Sequence, residues 1–361
     1  MNKFSLYIHV PFCKEKCYYC DFSSFAHKED RIQDYFLALE TQIEKESVYY
    51  KNRVIDTIFI GGGTPSFVNG KYIFRILECV KNNFCLDDNA EITIEANPKT
   101  VDRDKLSFYK ESGINRISLG VQAVQDRILR MLGRIHTFED AKESIALIKR
   151  AGFRNFNVDT MFALEGQSIG DWEETLAQVV SMYPTHISTY ALIVEEGTPF
   201  YKKYHGENPV DEDTDRTMYH FAQEYLTENG YTQYEISNFA KEGYSCRHNL
   251  YCWEYEEYIG FGTAAHSFVN GNRFSVITDI DEYINKIKNG QCIYSQFYKE
   301  QKQEQIENAI MLALRKTDGI NINEFNKRFQ IDFCKKYKMQ NEKFLDENLL
   351  SMKDGRMFLT K

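Results

Sequence analysis

Hydrophobic positions along this chain follow two periods in turn. Leu6-Tyr7-Ile8-His9-Val10 alternates and carries β-branched residues, the pattern of a strand. Pro11 cannot donate to a continuing ladder and ends it. From Arg31 to Tyr50, Ile32, Tyr35, Phe36, Leu39 and Ile43 fall at helical spacing. The exchange then recurs. Strands are predicted over 56–60, 91–95, 115–121, 155–161 and 186–192, and helices over 72–84, 105–112, 138–151 and 172–183. That is six βα units or nearly so, which implies an α/β fold with a parallel sheet and helices outside. Six units fit an open, partial (βα)6 barrel of the TIM type. Ligands gather on the carboxyl-end loops of such barrels.

Beyond residue 200 the alternation breaks down. Residues 214–229 form an amphipathic helix, and 231–239 read as a strand and turn. Two unusual stretches follow, Cys246-Arg247-His248-Asn249-Leu250-Tyr251-Cys252-Trp253 and Gly260-Phe261-Gly262-Thr263-Ala264-Ala265-His266-Ser267. From Glu300 the pattern is that of a small separate unit. One helix carries Ile306, Ile310 and Ala313, a second begins near Asn323, and Asp354-Gly355 is a hairpin turn between short apolar runs. The expected organisation is a barrel over 1–200, a barrel extension over 201–298, and a small winged-helix-like domain over 299–361. Wings suggest DNA, but residues 300–361 hold 12 Lys and Arg against 10 Asp and Glu, so a lid or packing role is the better expectation.

Composition narrows the class. With 43% hydrophobic and 27% charged residues, the 361-residue chain reads as an ordinary soluble protein. Its net charge of −9 argues against bulk nucleic-acid binding. No run of 18 apolar residues predicts a membrane span, and the first apolar stretch is too short for a signal peptide. The nine cysteines suggest a reducing cytoplasm rather than a disulfide scaffold. Cys79, Cys85, Cys292 and Cys334 read as incidental thiols.

Three cysteines stand apart. Cys13, Cys17 and Cys20 are spaced C-x3-C-x2-C on the loop after the first strand. Thiolates suit iron–sulfur clusters and zinc. Structural zinc wants four ligands, for which Asp21 and His27 are the nearby candidates. Three cysteines could instead hold a 4Fe-4S cube with one iron left open. Gly61-Gly62-Gly63-Thr64-Pro65, after the second strand, lets backbone approach a ligand, although a tight βα turn would also explain it. It is neither a P-loop nor a dinucleotide fingerprint.

The cysteine spacing resembles that of the radical S-adenosylmethionine (SAM) superfamily. The stretches YIHVPFCKEKCYYCDF, GGGTPS, ITIEANP, RISLGVQAVQDRILRMLGRIHT and NVDTMFALEGQS sharpen this to one subfamily, the oxygen-independent coproporphyrinogen III oxidases and their relatives, above all the HemW-type heme chaperones. The resemblance implies that SAM chelates the open iron of a 4Fe-4S cluster held by Cys13, Cys17 and Cys20. It puts Tyr7 at the methionyl end of SAM with Gly62, Gly63 and Thr64 beside it, and gives Glu95 the ribose hydroxyls. Gln122, Arg134 and Asp159 match residues that line a second SAM in the oxidase. The bland readings are a solvated helix arginine for Arg134 and a strand-end carboxylate for Asp159.

Three features favour the chaperone branch. The oxidase pattern continues to a fourth cysteine where this chain has Phe22. The oxidase carries a long extension before the first strand, whereas six residues precede Tyr7 here. The chaperones carry H-N-x-x-Y-W, nearly reproduced from His248 to Trp253 with Cys252 in the tyrosine place. His248 and Cys252 are therefore the heme candidates, since imidazole and thiolate both ligate heme iron. His266 and Cys246 read as structural. The implied function is a cytoplasmic heme chaperone that carries heme as cargo to respiratory proteins. A low-potential electron donor would be needed if SAM is cleaved, and no catalytic residue is assigned. The alternative is a radical SAM enzyme, either coproporphyrinogen III dehydrogenase or a related methyltransferase. The dehydrogenase would need cations at the barrel mouth for the tetrapyrrole carboxylates, and Arg134 and Arg247 are the ones on offer.

Overall fold

The computed structural model describes residues 3–360. A twelve-stranded sheet organises the molecule. Its strands in chain order are β1 (Lys3–Val10), β2 (Val54–Gly62), β3 (Cys85–Ala96), β4 (Arg116–Gln122), β5 (Asn155–Phe162) and β6 (His186–Ala191). Then come β7 (Thr232–Gln233), β8 (Asn238–Ala240), β9 (Tyr258–Phe261), β10 (His266–Val269), β11 (Asn272–Val276) and β12 (Tyr294–Lys299). Their spatial order is β12-β11-β10-β9-β1-β2-β3-β4-β5-β6-β8-β7, so the sheet curls without closing. The six expected strands lie side by side and parallel. A seventh parallel strand, β9, pairs with the free edge of β1 and was not foreseen. The remaining pairings are antiparallel.

Alternation along each strand sorts the two faces. Phe4, Leu6, Ile8, Ile58, Ile60, Ile94, Ile117, Leu119 and Val158 are fully buried on the face covered by helices. These are α1 (Ile32–Ser47), α2 (Gly70–Asn83), α3 (Arg103–Glu111), α4 (Phe138–Arg150), α5 (Ile169–Ser181) and α6 (Glu212–Glu228). In α2, Ile73, Ile76, Leu77 and Val80 form the buried stripe. Thr137 and Ser168 each start a helix with a capping box, closed by Asp140 and Asp171. The opposite face is polar. Ser5, Thr57, Glu91, Thr93, Arg116, Ser118, Asn157, His186 and Ser188 are all buried on it.

A short helix, α7 (Arg247–Trp253), covers the amino-terminal end of this polar interior. Its first turn is capped by a distant acid: the Glu91 carboxylate accepts the backbone N–H groups of Arg247 and His248, at 3.2 and 3.1 Å. Residues 302–360 hold helices at Lys302–Ala313, Ile322–Phe329 and Lys338–Asp346, and a three-stranded sheet. Its hairpin turns at Asp354 and Gly355, both with positive φ as a two-residue turn of this type requires. The core of this unit, with Ile306, Phe325 and Phe333, includes Tyr255 and Phe268 from the preceding segment.

Candidate functional site

The cysteine loop is tied down by backbone bonds to two other carboxyl-end loops. Gly63 N–H donates to Val10 O at 3.0 Å and Thr64 N–H to Phe12 O at 2.8 Å. Tyr18 N–H donates to Leu132 O at 3.1 Å. The glycines permit this approach. A Cβ on Gly63 would lie 2.8 Å from the Phe12 carbonyl oxygen, and Gly62 has a φ of 107° with the His9 ring where its Cβ would be.

One cleft gathers Cys13, Cys17, Cys20, Gly62, Gly63, Thr64, Glu95, Gln122, Arg134 and Asp159. Of the residues singled out for cluster and SAM, Tyr7 alone does not line it. The Tyr7 hydroxyl is instead paired with His9 Nδ1 at 2.9 Å, and His9 Nε2 with the Ser23 carbonyl at 2.7 Å. Cys13 Sγ lies 3.5 Å from Thr64 Oγ1, and Arg134 Nη1 donates to Cys17 Sγ at 3.5 Å. Burial pushes the Cys13 thiol up and the Cys20 thiol up to about 11. Of the alternative fourth ligands, His27 is exposed beside Glu15, and Asp21 lines a neighbouring chamber. Among the described residues, no group of three or more His, Cys, Asp or Glu converges as ligands of a single ion. Three thiols lining one cleft are the protein ligands that a 4Fe-4S cube with one open iron would need.

Glu95 is enclosed at the end of β3 and accepts the Gly62 N–H at 3.1 Å. Burial, with Asp159 nearby, raises its carboxyl to about 8. Asp159 is raised by burial too, against hydrogen bonds from Asn157 at 2.7 Å and Ser118 at 3.3 Å. Gln122 ends β4 with a φ of 72°, a strained conformation for a residue with a side chain. Arg134 is no solvated helix residue. It donates to Asn97 Oδ1 at 2.6 Å and to the Gly120 carbonyl at 2.5 Å, as well as to Cys17. Asn97 escaped notice in the sequence although it follows Glu95 in EANP. It also donates to Thr64 Oγ1 at 2.9 Å and so joins three loops of the site.

The heme candidates are placed apart. His248 is buried, with Nδ1 2.9 Å from Ser5 Oγ and 3.0 Å from Thr57 Oγ1, and its ring lies 5.0 Å from that of Phe59. Burial and Arg116 lower its pKa to about 3, so the ring is neutral. Cys252 faces elsewhere, into a cleft of about 340 Å3 with Tyr258, Phe268, Arg273, Met311 and Leu312. Cys246 is buried against Glu91, and His266 is exposed at the start of β10. One expectation is overturned outright. Arg247 is not at the barrel mouth; it sits at the amino-terminal end, bound to Asp56 at 2.5 Å and to the Asn89 carbonyl. The helix that carries it plugs the opposite end of the strands from the cysteines.

Residues 7–179 match the radical SAM superfamily model, and residues 301–361 match the HemN C-terminal domain model. Coproporphyrinogen III oxidase (HemN) from Escherichia coli superposes with a TM-score of 0.86, covering 99% of this chain and 87% of that one at 19% identity, a likeness of fold. The fold is thus that of a radical SAM protein. Relatives named heme chaperone HemW are 35% identical in Bacillus subtilis (90% of this chain, 86% of the relative) and 32% in Lactococcus lactis (99% and 93%). The Escherichia coli relative of that name is 42% identical over 73% of this chain and 70% of its own. This chain belongs to the HemW family. No described helix is long and apolar enough to cross a membrane.

Proposed function

We propose that this protein is a heme chaperone, which binds heme and a SAM-liganded 4Fe-4S cluster and passes the heme to respiratory proteins in the cytoplasm. Cys13, Cys17 and Cys20 would hold the cluster, and Gly62, Gly63, Thr64 and Glu95 would hold SAM, with Tyr7 supporting the wall behind them through His9. Gln122, Arg134 and Asp159 would complete the SAM wall. A bound cluster–SAM pair supplies one-electron chemistry when a low-potential donor reduces it.

The observation that carries the chaperone reading against the dehydrogenase is the electrostatics of the mouth. Arg134 is spent on Cys17, Asn97 and Gly120, Arg247 lies at the far end, and Lys16 at the rim is bonded to the Phe22 carbonyl at 2.8 Å. Asp21, Glu95, Asp159 and Glu195 share the same space. Arg116 is the one arginine lining it, so a substrate with four carboxylates finds few partners there.

Of the two heme candidates, the geometry favours His248. Its Nδ1 is held by two hydroxyls, no described hydrogen bond uses Nε2, and the neutral ring can ligate iron. The test is an anaerobic heme titration of the cluster-reconstituted protein, followed by the Soret band, beside His248→Ala. The same samples are incubated with coproporphyrinogen III, SAM and reductant. Stoichiometric heme uptake, weakened about tenfold or more in the variant and without vinyl product, is expected. Protoporphyrinogen formation without heme uptake would overturn the reading in favour of the dehydrogenase.

A further inference from the structure

The barrel interior encloses a cation for which the described residues supply no hydrogen bond or ion pair. Arg116 stands on the polar face of β4, 2% exposed, and its Nε has no hydrogen-bond partner. No described hydrogen bond or ion pair engages the rest of its guanidinium; its acidic neighbours act on it only through space. Those neighbours are already occupied. Glu91 accepts from Cys246, Arg247 and His248, and Asp159 from Asn157 and Ser118. A buried charge left in this state is costly unless something answers it.

The space it faces is a chamber of about 540 Å3, where Phe59, Met161, Tyr190 and Leu192 stand beside the carboxyls of Asp21, Glu95, Asp159 and Glu195, with Asn249 also lining it. The chamber opens beside Cys20 and Phe22, next to the cluster loop. Asn249 belongs to the His-Asn pair of α7, so that motif reaches the chamber from below. A guanidinium presents a planar fork of N–H donors that matches a carboxylate, and apolar walls suit the body of a flat ring system.

We propose that Arg116 seats a carboxylate of a flat, largely apolar ligand lying in this chamber, and that for heme this carboxylate is a propionate. The assignment rests on the heme-binding reading above, and its test separates the two. Full-length protein is titrated with ferric heme and with heme dimethyl ester, whose propionates carry no charge, and both are followed by the Soret band. Arg116→Gln and Arg116→Lys are measured alongside. The wild type is expected to prefer heme over the ester by about tenfold or more. Arg116→Gln should bind the two alike, and Arg116→Lys should recover part of the preference. Equal binding of acid and ester by the wild type, a comparison that needs no substitution to fold, overturns the propionate seat and leaves the chaperone reading standing. A preference that survives in Arg116→Gln places the carboxylate on another cation and overturns the role of Arg116. Binding of neither ligand overturns both.

Discussion

At the scale of single residues, the cleft divides into groups fixed by the backbone and groups fixed by register. The cysteines and glycines were legible because their spacing within one loop is itself the signal. Asn97 and Arg116 were not, because each acquires its surroundings from strands or loops far along the chain. Their own neighbours in sequence say nothing of it. Two outcomes follow at this scale. Replacing half-buried Cys17 by Ser should abolish the iron retained on reconstitution, which is about four per chain for an intact cube. Stability of the iron-free chain should change by only about 0.5 kcal/mol. Full iron content in the variant would remove Cys17 from the ligand set. The second concerns Glu95. Its folded pKa of about 8 stands above the ordinary 4.5, so between these values the folded chain keeps a proton the unfolded chain has released. Stability contributed by this site is therefore lost as pH rises through that window. Glu95→Gln, with no proton to lose, should gain on the wild type, on the order of a few kcal/mol at pH 8 and little near pH 5. Urea unfolding of the cofactor-free chain at both pH values checks this, and parallel behaviour of the two proteins would sink it.

At the scale of elements, the strand–helix alternation was readable because it satisfies two local rules at once: alternation toward a covered face, and side-chain caps where α2, α3, α4 and α5 begin. α7 and β9 satisfied neither. The helix takes its cap from Glu91, 156 and 157 residues away in sequence from the two amides it accepts, so no capping residue announces it. β9 is four residues long with Gly260 inside it, too short to show a period, and owes its place to the edge of β1. The borrowed cap gives a prediction. Glu91→Ala orphans the buried donors at the start of α7 and should destabilise the protein by about 2–4 kcal/mol. Backbone amides of α7 should exchange with solvent faster than those of α5, whose capping box is its own. Unchanged exchange in α7 would mean that side-chain packing, not the carboxylate, holds it.

At the scale of the whole molecule, the carboxyl-terminal unit is recognisable in sequence by its hairpin and helices, yet its attachment is not. Tyr255 and Phe268 enter its core, Arg315 lies over the Trp253 ring at 4.4 Å, and Arg328 donates to the Tyr255 carbonyl at 2.5 Å. The backbones of Glu235 and Lys316 form an isolated antiparallel β-bridge between the two parts. A unit that shares its core should not melt alone. Calorimetry of the full chain is expected to give one transition, and removal of residues 301–361 should lower the melting temperature of what remains; two separate transitions would contradict this. The pairing of β1 with β9 has a further consequence, for the order of events during synthesis. The strand that leads into the cysteine loop cannot acquire both its neighbours until residue 261 has left the ribosome. That is about 240 residues after Cys20, roughly 12–50 s at ordinary elongation rates of about 5–20 residues per second. For that interval the three thiols are part of an unfinished sheet, and a cluster bound by them would find its complete surroundings only once residue 261 has emerged.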